Sequence, residues 1–145
     1  MRPLLSTLLA VVIPFVSASA QAQTPDPTRL TGRWSGYGTF FDAKLRKKVD
    51  SIPFILQIDA DRTGSGAVAG VALRDVEVRS TRHYVEVRAK LERPIAPDAA
   101  LAKDRLVLVV TAARDSTLEA EFHLKSNFTY DLRMREGRVI LARAP

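Results

Sequence analysis

LTGRWSGYGTFF, Leu30 to Phe41, decides how this chain is read, because it holds the only tryptophan together with three glycines. In an extended chain side chains alternate between faces. Trp34, Gly36, Gly38 and Phe40 therefore share one side, and Ser35, Tyr37, Thr39 and Phe41 share the other. The first side is a large ring, two gaps and another ring. Glycines inside a strand mark a sharp bend or the close approach of another backbone, and a first strand that coils to close a barrel needs both. Trp34 is expected to plug the closed end.

Downstream the strand period continues. Asp42 to Ser51 is a basic loop or short helix, and Ile52 to Asp59 is apolar on both faces, as in a well-covered strand. Ala60 to Gly66 reads as a turn by composition, followed by a strand of small residues from Gly66 to Arg74. Asp75 to Ser80 alternates, and from His83 onward His83, Val85, Val87, Ala89 and Leu91 oppose Tyr84, Glu86, Arg88 and Lys90. Arg93 to Lys103 is the longest irregular stretch, a candidate lid or crossover. Asp104 to Arg114 is again apolar on both faces. In the next strand Leu118, Ala120, Phe122 and Leu124 form the inward side, and in the following one Phe128, Tyr130, Leu132 and Met134 do so. Glu136-Gly137 then turns the chain into Arg138 to Arg143. Short strands at hairpin spacing without a long amphipathic helix predict an all-β fold: an antiparallel meander closed into a barrel of about eight strands, with a β-sandwich as the alternative. No crossover is long enough for a parallel α/β sheet.

Gly32-Arg33-Trp34 at the head of the first strand resembles the G-x-W feature that opens lipocalins and related calycin barrels. The resemblance implies that the tryptophan closes the base of the barrel and that an arginine near the last strand, Arg143 or Arg138, packs over it. It also implies a small apolar ligand held in a cup. The second lipocalin signature, T-D-Y, is absent.

The N-terminus points to export. Arg2, the apolar run Leu4 to Val16 and the small residues through Ala22 have the form of a secretory signal peptide, with cleavage expected after Ala20 or Ala22. The expected organisation is a signal peptide over 1–22, a flexible lead-in over 23–29 and one barrel domain over 30–145, placing the protein in the periplasm or outside the cell. The cysteine count is zero, which removes disulfides, thiol catalysis and thiolate metal sites together. With two histidines as well, no cofactor or metal is expected. An integral outer-membrane barrel needs aromatic girdles, whereas this chain has few aromatics and ends Arg143-Ala144-Pro145.

The formal net charge of +6 favours acidic partners through long-range steering. The densest basic cluster is Lys44, Arg46, Lys47 and Lys48, a solvated loop in the simplest reading and an anionic-surface contact in the sharper one. Nucleic acid is not expected, because the aromatic residues are not interleaved with the basic ones.

Few constellations carry chemistry. Glu119, Glu121 and His123 share one face of a strand, but at strand rise, roughly 6.7 Å per pair of residues, neighbours are too far apart for a metal unaided. Cross-strand pairing with Arg133 and Arg135 is the simpler outcome. His83 falls in phase with Val85 and Val87 and is expected inside one mouth, as a ligand-orienting group or a general base. No G-x-S-x-G elbow is present, and Thr63-Gly64-Ser65-Gly66 lacks the lysine and helix of a phosphate loop. Asn127-Phe128-Thr129 is a sequon only in a eukaryotic secretory route.

These observations lead first to a non-enzymatic barrel that binds a small apolar or amphiphilic molecule, with Trp34, Phe40, Phe54, His83, Phe122 and Tyr130 as its contacts. Small residues such as Ala67, Ala69 and Ala112 argue for space left open inside. The alternatives are a protein-binding module, an inhibitor or envelope-assembly factor using a strand edge or the basic loop, and a cavity enzyme built on His83.

Overall fold

The computed structural model describes residues 24–96, 101–126 and 135–145. A 3-10 turn, Pro27–Leu30, is followed by β1 (Gly32–Phe40), α1 (Ala43–Lys48), β2 (Ile52–Ile58), β3 (Thr63–Val68) and β4 (Val71–Ser80). Then come β5 (Val85–Leu91), β6 (Arg105–Ala113), β7 (Thr117–Lys125) and β8 (Gly137–Arg143). Each strand pairs antiparallel with the next, and β8 returns to β1, with Trp34 opposite Arg143 and Phe40 opposite Gly137. The sheet is a closed eight-strand meander, so the barrel holds and the sandwich alternative falls away. Closure removes the unpaired edges that an open sheet must protect.

The alternation within β1 sets its curvature. Trp34, Gly38 and Phe40 are buried while Ser35, Tyr37 and Thr39 are exposed. A Cβ on Gly36 would collide with the carbonyl oxygen of Ile140, and one on Gly38 would lie 2.7 Å from the Phe54 ring and 3.0 Å from that of Phe122. The two gaps in the sequence are filled by a neighbouring backbone and by two aromatic rings.

Between β2 and β4 the boundaries differ from the sequence reading. Thr63 to Gly66 is strand rather than turn, and the stretch from Gly66 to Arg74 is cut by a tight turn at Ala69 and Gly70, both at positive φ. Two consecutive left-handed residues form the twist-matched hairpin connection. Gly64 and Gly66 let β3 pass close to the backbone carbonyls of Gln57 and Ile55, which is why this glycine-rich segment pairs instead of turning. Asp75, at φ 51°, sits where the β4–β5 register shifts between Arg74 and Glu77, so one bulged strand replaces two separate ones.

The inner faces form one core that includes Trp34, Phe54, Leu56, Val87, Leu108, Leu118, Phe122 and Leu141. Both ends of the barrel are capped. At one, the 3-10 turn buries Leu30, so ordered structure starts inside the expected lead-in. At the other, Leu45 and Val49 bring α1 against the core, joined by Leu101, Ile95 and Ala96 from the β5–β6 connection. That connection links neighbouring strands and is not a crossover. The expected signal peptide, the sequon at Asn127 and the strand expected to turn Phe128, Tyr130, Leu132 and Met134 inward, with its candidate contact Tyr130, lie outside the described residues.

Candidate functional site

Four of the expected ligand contacts meet inside the barrel. Trp34, Phe40, Phe54 and Phe122 are each at most 1% exposed, and the Phe122 ring lies 5.5 Å from both the Phe40 and the Phe54 rings, edge-on to the first and tilted to the second. The Trp34 indole N–H donates to the Leu30 carbonyl at 2.7 Å. Its face is covered by the Arg143 guanidinium, 4.2 Å from the ring centroid. Arg143 also donates to the carbonyls of Thr31 (2.6 Å), Asp115 (2.6 Å) and Arg29 (3.0 Å). Of the two arginines expected over the indole, the last strand supplies Arg143. Arg138 instead points outward to Glu119, at 2.8 Å.

The small residues do not open this interior. Ala67 lies opposite outward-facing Ile55, Ala69 is in the turn, and Ala112 sits where the β6–β7 register shifts. His83 is also not inside. The hairpin turn starts before it, so it lies exposed between β4 and β5 at the Trp34 end, its backbone N–H 3.3 Å from the Thr81 hydroxyl. Turn residues do not inherit the phase of the strand they precede, which is why the alternation assigned it wrongly.

The acidic face of β7 is used for ion pairs. Glu119 pairs with Arg138 and, at 3.4 Å, with Arg114, and Glu121 pairs with Arg135, one of the two expected arginines, which lies just before β8 and not on a strand; the other, Arg133, lies outside the described residues. Hydrogen bonding from Arg138 is the main cause that holds the Glu119 carboxyl below its usual range. His123 on the same face is buried, and it lies opposite Val107. Beside Val107, Val109 is buried between Glu86 and Glu121, apart from the interior core. Among the described residues no group of three or more His, Cys, Asp or Glu side chains is arranged to hold a metal ion. Glu136 lies at the α1 end, where burial pushes its carboxyl above its usual range against the opposing pull of the Leu124 N–H and Lys103.

A surface that the sequence reading did not assemble lies on the outside of β8, β1 and β2. Tyr37, Phe41, Ile55 and Ile140, the large apolar side chains that stand exposed among the described residues, all belong to these strands or the residue following β1, at 65, 52, 52 and 50% exposure. Tyr37 is opposite Ile140 on one side and Pro53 on the other, while Ile55 is opposite Ser35. The Phe41 N–H still bonds to the Glu136 carbonyl at 2.8 Å, so its backbone continues the β1–β8 pairing. α1 starts two residues later, with Asp42 as N-cap accepting from the Lys44 N–H at 2.7 Å. Lys44, Arg46, Lys47 and Lys48 all point to solvent, and no ion pair joins Lys44, Arg46 or Lys47 to any described residue. The periodicity places Tyr37 and Phe41 outside, but only the register brings Ile140 and Pro53 beside them. Comparison with protein-family models, curated proteins and solved structures finds no match for this chain.

Proposed function

We propose that this chain is an exported, non-enzymatic binding module that works through the outside of its barrel rather than through an internal cup. The observation that carries the reading is the packing of Trp34, Phe40, Phe54 and Phe122, which leaves these rings without significant accessible surface. Ligand sites are concave and usually largely preformed; a ligand here would have to displace the three packed phenylalanines and lift Leu45 and Val49. Closure of the barrel also withdraws the strand edge as a recognition element, leaving the outer face and α1. The enzyme alternative loses its support with His83 outside at the capped end.

Titration of the exported protein with fatty acids, isoprenoids and an environment-sensitive dye, following Trp34 emission and the NMR signals of the Phe122 ring, tests this reading. No saturable change in either probe is expected. A saturable change in both would restore the apolar ligand in the cup, with Trp34, Phe40, Phe54 and Phe122 as its wall. N-terminal sequencing of that same protein is expected to begin at Gln21 or Gln23.

A further inference from the structure

We propose that the protein docks on an anionic lipid surface through the outer face of β8, β1 and β2 together with α1. This rests on the outer-surface reading and names its partner. Along β1, Tyr37 to Phe41 covers roughly 13 Å at strand rise, and the row Ile140, Tyr37, Pro53 spans three strands, about 10 Å across. The exposed large apolar side chains of the described residues thus collect on one side of the barrel. Apolar side chains scattered singly need no explanation, whereas a contiguous group on one side marks an interaction surface.

Charge selects the occupant. The chain carries a formal net charge of +6, or +5 once Arg2 leaves with the expected signal peptide, and the cations nearest Phe41 in sequence, Lys44, Arg46 and Lys47, have no acidic partner among the described residues. Basic residues in the last turn of a short helix complement its carbonyl end. That accounts for Arg46 to Lys48 but not for an exposed phenylalanine immediately before the helix. The nearby acids are already engaged or few: Asp42 caps the helix, Glu119 is held by Arg138 and Arg114, and Asp50 is the exposed acid that follows α1. Arg138, opposite Thr39 and so between Tyr37 and Phe41, is paired with Glu119, which leaves the α1 cations as the charge beside this face. Aromatic and aliphatic side chains flanked by lysine and arginine suit a headgroup layer, where rings enter the boundary and cations meet lipid phosphates.

The test is co-sedimentation of the exported protein with vesicles of phosphatidylcholine alone and of phosphatidylcholine with phosphatidylglycerol, at low and high salt. Binding is expected only to the anionic vesicles and is expected to weaken with salt. The triple variant K44Q/R46Q/K47Q, which neutralises three cations, should lose on the order of a hundredfold in affinity, from roughly fivefold per neutralised cation near the surface. Y37S/F41S should weaken binding while leaving the fold, monitored by circular dichroism, intact. Binding insensitive to both variants, or equal on neutral vesicles, would overturn the proposal. So would a soluble polyanion that competes fully and does not need Tyr37 or Phe41. Concentration-dependent dimers in sedimentation that disappear in Y37S/I140S, without vesicle binding, would assign the face to a second copy instead. No vesicle binding by the wild type while Trp34 and Phe122 stay silent to ligands would sink the lipid partner alone; saturable ligand binding inside would sink the outer-surface reading itself.

Discussion

Arg143, the last residue of β8, stacks 4.2 Å over the indole of Trp34 and ties three carbonyls from two other segments to the same point. One guanidinium joins the 3-10 turn, the start of β1 and the β6–β7 turn. A cation over an indole contributes on the order of 1 kcal/mol, and hydrogen bonds from a charged donor contribute about 1.5–3 kcal/mol each. Trp34→Ala is expected to cost about 3–5 kcal/mol in urea unfolding, as large-to-small core changes do. Arg143→Met, which keeps the apolar stem but loses the donors, is expected to cost about 1 kcal/mol or more, because Arg143 is exposed and water can replace part of each lost hydrogen bond. Trp34 emission in the wild type should be blue-shifted and resistant to iodide; free quenching would contradict its burial.

Gly38 holds the space that the Phe54 and Phe122 rings occupy, since a Cβ there would lie 2.7 and 3.0 Å from them. Gly38→Ala is predicted to destabilise by about 1–3 kcal/mol through overpacking. Both contacts are side-chain atoms, so Phe54→Leu in the same chain should recover part of the loss. A double-mutant cycle measures that coupling, and purely additive costs would count against the packing described.

Two carboxylates give stability a pH dependence of opposite sign. Glu136 is raised by burial, so its penalty appears as pH rises from the ordinary glutamate value through the higher folded value. The stability of the wild type relative to Glu136→Gln should therefore fall over that window. Glu119 is lowered chiefly by the Arg138 hydrogen bond, so its contribution is present above the ordinary value and is lost as pH falls through the lower folded value. The advantage of the wild type over Glu119→Gln should shrink there. Urea midpoints at closely spaced acidic pH values check both signs.

Much of this molecule was legible from side-chain alternation, because inside and outside are local properties of an extended chain. Val85, Val87, Ala89 and Leu91 face the core as their spacing requires, and so do Leu118, Ala120, Phe122 and Leu124. His83 failed the same test because a turn cancels the phase, and the glycine-rich β3 was read as a turn because composition does not reveal a neighbouring backbone.

The sequence by itself determined an all-β chain, its approximate strand count and the inward side of Trp34, since these follow from a period of two and from the residue types that break it. The tertiary structure alone decided that Arg143 and not Arg138 covers the indole, that the rings of Phe40, Phe54 and Phe122 fill the space between them, and that Tyr37 meets Ile140 and Pro53 outside. Each of those depends on register between segments distant in sequence. Closing the barrel sets that register through hydrogen bonds that no local pattern encodes.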